Sequence, residues 1–392
     1  MTALERQLRQ ITSKSGWMLA SLAMLGATSA QGQKVALTST APAGLKRLPM
    51  SVTGRVDRKA GGSLLRQWPG TYFETAFAGS SASFRVGLGE VGLRVTVDNR
   101  MPVRLVKPAP GIYRVSGLAP GRHRLRVDVA SESQASPTSF GGFFAPARTK
   151  PAPLIHRVRA IEFIGDSHTV GYGNTSSTRQ CTEDQVWAAT DTSRGLAPLV
   201  ASHYNADYQV NAISGRGIVR NYNGFAAATL PEAYPYAMFD KAKTTRDSSW
   251  HPQVIAIALG TNDFSTPLNP GEKWTSRDAL RADFESSYVR FVQQLRARNP
   301  RAYVLLWATD LGDGEIKQEV SNVAERLHQA GDARVGFVTV RNLSMSACNF
   351  HPSIADDELI ARTLVDYINK VSGVWPPDQL HAVKDTPGVA GR

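Results

Sequence analysis

Only two cysteines occur in 392 residues, which rules out a disulfide scaffold and a cysteine-rich zinc site. There is no Lys/Arg-rich run and no aromatic RNA-binding pattern. The excess of 45 Lys+Arg over 33 Asp+Glu, a balance of +12, is therefore scattered charge, and no nucleic-acid partner is expected. Apolar runs of the roughly 18 residues needed for a transmembrane helix are missing, so no integral membrane segment is expected in the mature chain. Also missing is a spaced carboxylate pair suited to glycosidase chemistry. The composition that remains, 42% apolar and 20% charged, is that of a folded chain, and its length calls for two domains. A monomer is expected.

Residues 1–30 read as an address. Arg6, Arg9 and Lys14 form a basic start, Trp17 to Gly26 is a short apolar run, and Ala27-Thr28-Ser29-Ala30 offers small residues for cleavage. This is the pattern of a secretory signal peptide, with an amphipathic N-terminal helix as the alternative; a periplasmic or secreted location is expected. In an oxidising compartment Cys181 and Cys348, 167 residues apart, can pair, and the loop they close would be long enough for roughly 5 kcal/mol at most. Two free buried thiols are the other reading.

From residue 50 to 145 the pattern is strand-like. Leu93-Arg94-Val95-Thr96-Val97 and His123-Arg124-Leu125-Arg126-Val127-Asp128-Val129 alternate between turn residues, as in an antiparallel β-sandwich. Residues 146–158, with Pro146, Arg148, Lys150, Pro151 and Pro153, read as a linker. From 159 to 376 five short apolar runs alternate with helical segments: Ala160–Ile164, Tyr208–Ile213, Val254–Leu259, Tyr303–Ala308 and Val335–Val340. Arg277 to Arg298 and Ser321 to Gln329 are the clearest helices among them. Such alternation predicts an α/β domain with a five-stranded parallel sheet between helical layers. A final helix starts at Ser353 with Asp356 completing a capping box. Residues 377–392 are a polar tail.

In open α/β sheets ligands sit at the carboxyl ends of the strands. The residues just past those ends are Gly165-Asp166-Ser167-His168-Thr169, Ser214-Gly215-Arg216-Gly217, Gly260-Thr261-Asn262-Asp263, Thr309-Asp310 and Cys348-Asn349-Phe350-His351-Pro352. Together they meet the needs of acyl transfer. Ser167 is a nucleophile once a base lies within roughly 2.6–3.2 Å, and His351 is that base. The Ser167 N–H, the Gly215 N–H and the Asn262 carboxamide are candidate oxyanion donors. His168 is read as structural or substrate-facing, because adjacent residues at a strand exit point apart. No metal or organic cofactor is required.

These blocks resemble those of the SGNH (GDSL-like) hydrolases, centred on Ser, Gly, Asn and His. More narrowly, Gly171-Tyr172-Gly173-Asn174, Ser214-Gly215-Arg216-Gly217-Ile218-Val219-Arg220-Asn221-Tyr222 and Cys348-Asn349-Phe350-His351-Pro352-Ser353 are similar to carbohydrate esterase family two. Gly54-Arg55 and Trp68-Pro69-Gly70 add a softer match upstream. The resemblance implies a jelly-roll β-domain before a three-layer α/β/α domain. It also implies removal of O-acetyl groups from polysaccharides or oligosaccharides such as those of xylan or glucomannan.

One departure concerns the third catalytic member. SGNH enzymes carry Asp three residues before the histidine, and members of this esterase family often two before; here those positions hold Cys348 and Asn349. A Ser-His dyad is therefore expected, with His351 oriented by the Asn349 amide oxygen or by a backbone carbonyl. Asp310 is a weaker replacement. A Cys181–Cys348 bridge would tie the nucleophile and base loops together. Trp187 and Trp274 follow the serine and asparagine blocks, and each is a candidate sugar-stacking face against the commoner role of packing. Two rivals stand beside the carbohydrate esterase: an SGNH esterase of lipids or acetylated envelope sugars, and a non-catalytic carbohydrate-binding relative.

Overall fold

The computed structural model describes residues 34–38, 44–244 and 249–375; the leader and the polar tail lie outside the described residues. Alternation along the N-terminal strands sends one set of side chains inward. In Gly121–Val129, His123, Leu125 and Val127 are buried in the sandwich, while Arg122, Arg124 and Arg126 lie on the other side of the sheet, Arg122 exposed and the other two half-buried. Two antiparallel sheets, of seven and six strands among the described residues, close on one core containing Phe73, Phe77, Phe84, Val95, Val127, Phe140 and Phe143. The Phe73 and Phe140 rings stack across it at 4.0 Å.

The sandwich extends past both boundaries expected from sequence. Lys34–Leu37 pairs with the strand ending at Ser116, and Leu45–Arg47 pairs with Phe144–Pro146. These strands are too short to show alternation, and their partners lie far off in the chain. The stretch expected as a linker is likewise tied in, since Lys150 and Pro151 pair with Ala78 and Phe77. Proline is tolerated there because an edge strand does not need every N–H.

The second domain holds a five-stranded parallel sheet, Arg159–Gly165, Ala206–Ala212, Val254–Ala258, Tyr303–Thr309 and Val335–Val340. Its spatial order is second, first, third, fourth, fifth. The strands are mostly apolar because helices cover both faces; Glu162 on the first and Asp207, Gln209 and Asn211 on the second are the main polar exceptions. Ile164, Ile255, Ile257, Val304 and Leu306 pack against Arg277–Arg298 and Glu315–Gln329. Ile161, Phe163, Val254, Ala256 and Leu305 pack against Leu196–His203 and Ile354–Ile368. The last helix carries the expected Ser353/Asp356 capping box. The helix ending at Gln329 begins six residues before its expected start, behind a Gly312-Asp313-Gly314 turn that hides its N-terminus in the sequence.

The sandwich and the sheet domain share a core. Trp68 is fully buried in the cluster on one face of the parallel sheet and donates its indole N–H to Tyr236 O at 3.0 Å. Tyr72 enters the cluster on the other face and donates to Asp207 at 2.6 Å. Arg55, buried between the Trp68 and Tyr234 rings, lies 3.6 Å from the Glu162 carboxylate and donates to Tyr234 O.

Candidate active site

The spatial order of the strands reverses between the first and third, so their carboxyl ends open a crevice at that switch point. The first strand exits through Asp166, whose carboxylate caps a single helical turn, Ser167–Val170, by accepting the His168 N–H at 3.0 Å. Ser167 thus stands at the start of a turn with its side chain at the strand end. The second strand leads to Gly215, at φ +80, where an added Cβ would sit 3.2 Å from the Phe225 ring. The third leads to Asn262, inside the short turn Thr261–Phe264.

His351 arrives from the last loop. Its Nε2 is 2.9 Å from Ser167 Oγ, and its Nδ1 is 3.0 Å from both the Cys348 and Asn349 main-chain oxygens. Carbonyls only accept, so Nδ1 carries the proton and Nε2 is left to accept from the serine hydroxyl. The imidazole is therefore oriented by two carbonyls. The Asn349 side chain does not take the orienting role given to its amide oxygen: its Nδ2 instead donates to the Tyr172 hydroxyl at 3.3 Å. Asp310 is elsewhere, 3.8 Å from Arg341. Burial, and after it the neighbouring His168, pushes His351 down to about 4, against the two carbonyl bonds that favour its charged form.

Backbone conformation explains how two carbonyls reach one nitrogen. Asn349 and Phe350 have φ of +52° and +59°, left-handed for both, which curls the chain over the ring. Cys181 and Cys348 are joined by a disulfide, and Asn349 N–H donates to Arg179 O at 2.7 Å. Gly173 brings the serine loop so close that a Cβ there would lie 2.5 Å from the Cys348 Cβ. The serine loop and the histidine loop are thus fastened at several points.

The glycine and asparagine side of the rim is equally constrained. Asn262 Nδ2 donates to Arg216 O at 2.9 Å and lies 3.2 Å from Asp166 Oδ2. Burial pushes the Asp166 carboxyl up to about 7. The Asp263 carboxylate accepts the N–H groups of Ile218, Val219 and Arg220, fixing the loop beyond Gly215. Arg220, buried, ties that loop to Glu272 at 2.6 Å.

Ser167, His351, Gly215 and Asn262 thus stand on one rim. His168 is buried with its ring 5.6 Å from that of His351, and burial pushes it down to about 4. Trp187 and Trp274 make their contacts elsewhere: the Lys107 ammonium lies 4.9 Å from the Trp187 ring, and Trp274 donates to Asp283 at 3.0 Å. The aromatic faces beside the rim are others. Tyr172 lies 4.3 Å from the His351 ring, Phe225 sits against Gly215, and Phe350 precedes His351. Phe225 is 42% exposed, Phe350 62% and Tyr222, whose N–H donates to Gly215 O, 52%. Tyr172, Tyr222 and Phe350 lie inside the blocks quoted from sequence, and their place in those blocks was the available signal.

A parallel sheet of this order with serine, glycine, asparagine and histidine on one rim has the architecture of the GDSL-like hydrolases. Residues 163–362 match the family model of the GDSL-like lipase/acylhydrolase family, and residues 52–154 match that of the carbohydrate esterase 2 N-terminal domain. The chain belongs to carbohydrate esterase family 2 and is a carboxylic ester hydrolase. It is 42% identical to an acetylxylan esterase / glucomannan deacetylase of Cellvibrio japonicus over 84% of this chain and 93% of that protein. Among solved structures, one of a carbohydrate esterase whose active site displays divergent catalytic and non-catalytic binding functions superimposes with a TM-score of 0.81 at 41% identity, covering 84% of this chain and all of that one. A family two carbohydrate esterase from Clostridium thermocellum in complex with cellohexaose gives 0.74 at 27% identity, over 83% of this chain and 100% of that one. Among the described residues no helix is long and apolar enough to cross a membrane.

Proposed function

We propose that this chain is an exported O-acetylesterase of plant-type polysaccharides, acting on acetylated xylan or glucomannan through a Ser167–His351 dyad. The observation that carries the mechanism is the 2.9 Å approach of Ser167 Oγ to an imidazole nitrogen whose partner nitrogen faces two carbonyls. His351 Nε2 takes the serine proton as Oγ attacks the acetyl carbonyl. The oxyanion is received by the Ser167 N–H and the Gly215 N–H, and by the Asn262 amide, which shares with it one of the hydrogens directed at Arg216 O and Asp166 Oδ2 in the free enzyme. His351 then returns the proton to the sugar hydroxyl that leaves, and water, activated by the same imidazole, releases acetate. The two carbonyl dipoles stabilise the transient imidazolium where a carboxylate would otherwise do so.

The substrate reading rests on the acetylxylan esterase / glucomannan deacetylase relative and on exposed rings at the rim. Tyr222, Phe225 and Phe350 offer apolar faces of the kind on which sugar rings stack. Export rests on the basic, apolar and small-residue succession of residues 1–30. The test is acetate release from acetylated xylan, glucomannan and peptidoglycan, set against longer-chain esters. Release from the plant polymers, abolished by Ser167→Ala, supports the reading. Preference for peptidoglycan or long acyl chains contradicts the substrate, and activity surviving in Ser167→Ala contradicts the mechanism.

A further inference from the structure

The donor at Gly215 belongs to the peptide unit that Ser214 begins. The Ser214 carbonyl and the Gly215 N–H lie on opposite sides of one planar group, so whatever fixes the oxygen fixes the direction of the N–H. Both main-chain groups of Ser214 are held from the sandwich domain. Gln134 Nε2 donates to Ser214 O at 3.1 Å, and Glu132 Oε1 accepts the Ser214 N–H at 2.7 Å. The same Glu132 oxygen accepts from Gln134 Nε2 at 3.1 Å, joining the two side chains into one clamp.

That clamp stands on a firm base. Arg66, buried, donates to Ser133 Oγ and to Thr138 Oγ1, each at 2.8 Å. Gln67 donates to Gln134 O at 3.2 Å, Gly92 N–H to Ser131 Oγ at 2.8 Å, and Thr192 N–H to Ala130 O at 2.9 Å. Residues 130–134 are therefore anchored in both domains before Glu132 and Gln134 reach Ser214. Downstream, Asp263 fixes Ile218 to Arg220, so the Gly215 peptide is gripped on each side.

We infer that Glu132 and Gln134 are positioning residues for ester hydrolysis: the β-domain orients and polarises the Gly215 N–H that receives the oxyanion. A hydrogen bond to a peptide oxygen also strengthens the N–H of the same unit as a donor, because chained hydrogen bonds polarise one another. The N-terminal domain is in this way part of the reaction machinery, although its residues do not meet the reacting atoms. This rests on the assignment of Gly215 to the oxyanion hole made above.

The experiment compares Gln134→Ala, Glu132→Ala and Glu132→Gln with the wild-type chain on 4-nitrophenyl acetate, and measures inactivation by a methylphosphonate ester whose tetrahedral adduct mimics the oxyanion. Losing a whole oxyanion donor costs about 10²–10³ in kcat, so misdirecting one is expected to cost about five- to thirty-fold in Gln134→Ala and Glu132→Ala. KM should stay within about two-fold, and phosphonylation should slow in parallel with kcat. Glu132→Gln keeps a carbonyl oxygen for the Ser214 N–H and should retain most of the activity. Gln134 has an exposed side chain, so Gln134→Ala should unfold at the wild-type temperature and remains informative if Glu132→Ala fails to fold. Wild-type turnover in Gln134→Ala, or a loss confined to KM or to thermal stability, would overturn the inference. Ser167→Ala run in parallel separates the two levels: its survival would remove the dyad itself, whereas its silence with a fully active Gln134→Ala would remove only the clamp.

Discussion

In the proposed dyad His351 needs one proton on Nδ1 and none on Nε2, and each requirement has a physical source. Two carbonyls hold the first, and desolvation removes the second by pushing the ring down to about 4. A free imidazole would take up a proton near pH 6.5 and cease to act as a base. Here the acid limb of kcat/KM for 4-nitrophenyl acetate is expected near pH 4, leaving the enzyme active at pH 5; a limb near 6.5 would contradict the desolvated base. Asn349 offers a second residue-scale test, because its contribution is conformational. It occupies the left-handed region, which costs most side chains about 1–2 kcal/mol and glycine almost nothing. Asn349→Gly is therefore expected to hold kcat within about two-fold, while Asn349→Ala loses about 1 kcal/mol of stability along with turnover. Equal losses in both variants would instead implicate the amide.

At the scale of elements, the Cys348–His351 turn is shaped by its fastenings. The Cys181–Cys348 bridge closes a 167-residue loop, the Arg179 carbonyl takes the Asn349 N–H, and the Arg179 guanidinium donates to Met345 and Ser344 oxygens. Cys181→Ala is expected to lower stability by about 2–4 kcal/mol in urea unfolding and to reduce kcat more than it raises KM, since it loosens the turn that carries His351. Unchanged kcat would show that the hydrogen bonds alone suffice. The elements that position the chemistry were legible in the sequence for a simple reason. Parallel strands covered on both faces are continuous apolar runs, and the residues after them fall at the crevice by topology. The 22-residue helix Arg277–Arg298 was equally plain. Less legible were the outer strands Lys34–Leu37 and Lys150–Pro151, which owe their existence to partners elsewhere in the chain. What orients His351 was open between a side chain and a carbonyl, because the choice depends on two positive φ values that no residue type dictates.

For the whole molecule, the two domains are joined through a shared core. Trp68 fills the core beside the parallel sheet, and Arg55 lies against Glu162 while stacked between two rings. Removing one partner of such a buried pair strands the other charge and costs about 3–5 kcal/mol. Arg55→Ala is expected to lower a single cooperative calorimetric transition, with sandwich and sheet domain melting together; two separate transitions would contradict a shared core. The contribution of Glu132 and Gln134 was hidden at sequence level because they meet Ser214 across 80 or more residues and from another domain. Trp187 and Trp274 were candidates for the sugar face by their place after the catalytic blocks, yet tertiary packing brings Phe225 and Phe350 beside the rim.

Hydrolysis by the proposed dyad requires the acetyl group to pass through Ser167. Acid quenching of the enzyme during turnover of 4-nitrophenyl acetate, followed by peptide mass spectrometry, tests this directly. The expected result is a single acetyl on the peptide containing Ser167, absent in Ser167→Ala. An acetyl on another residue, or full activity in Ser167→Ala, would contradict it.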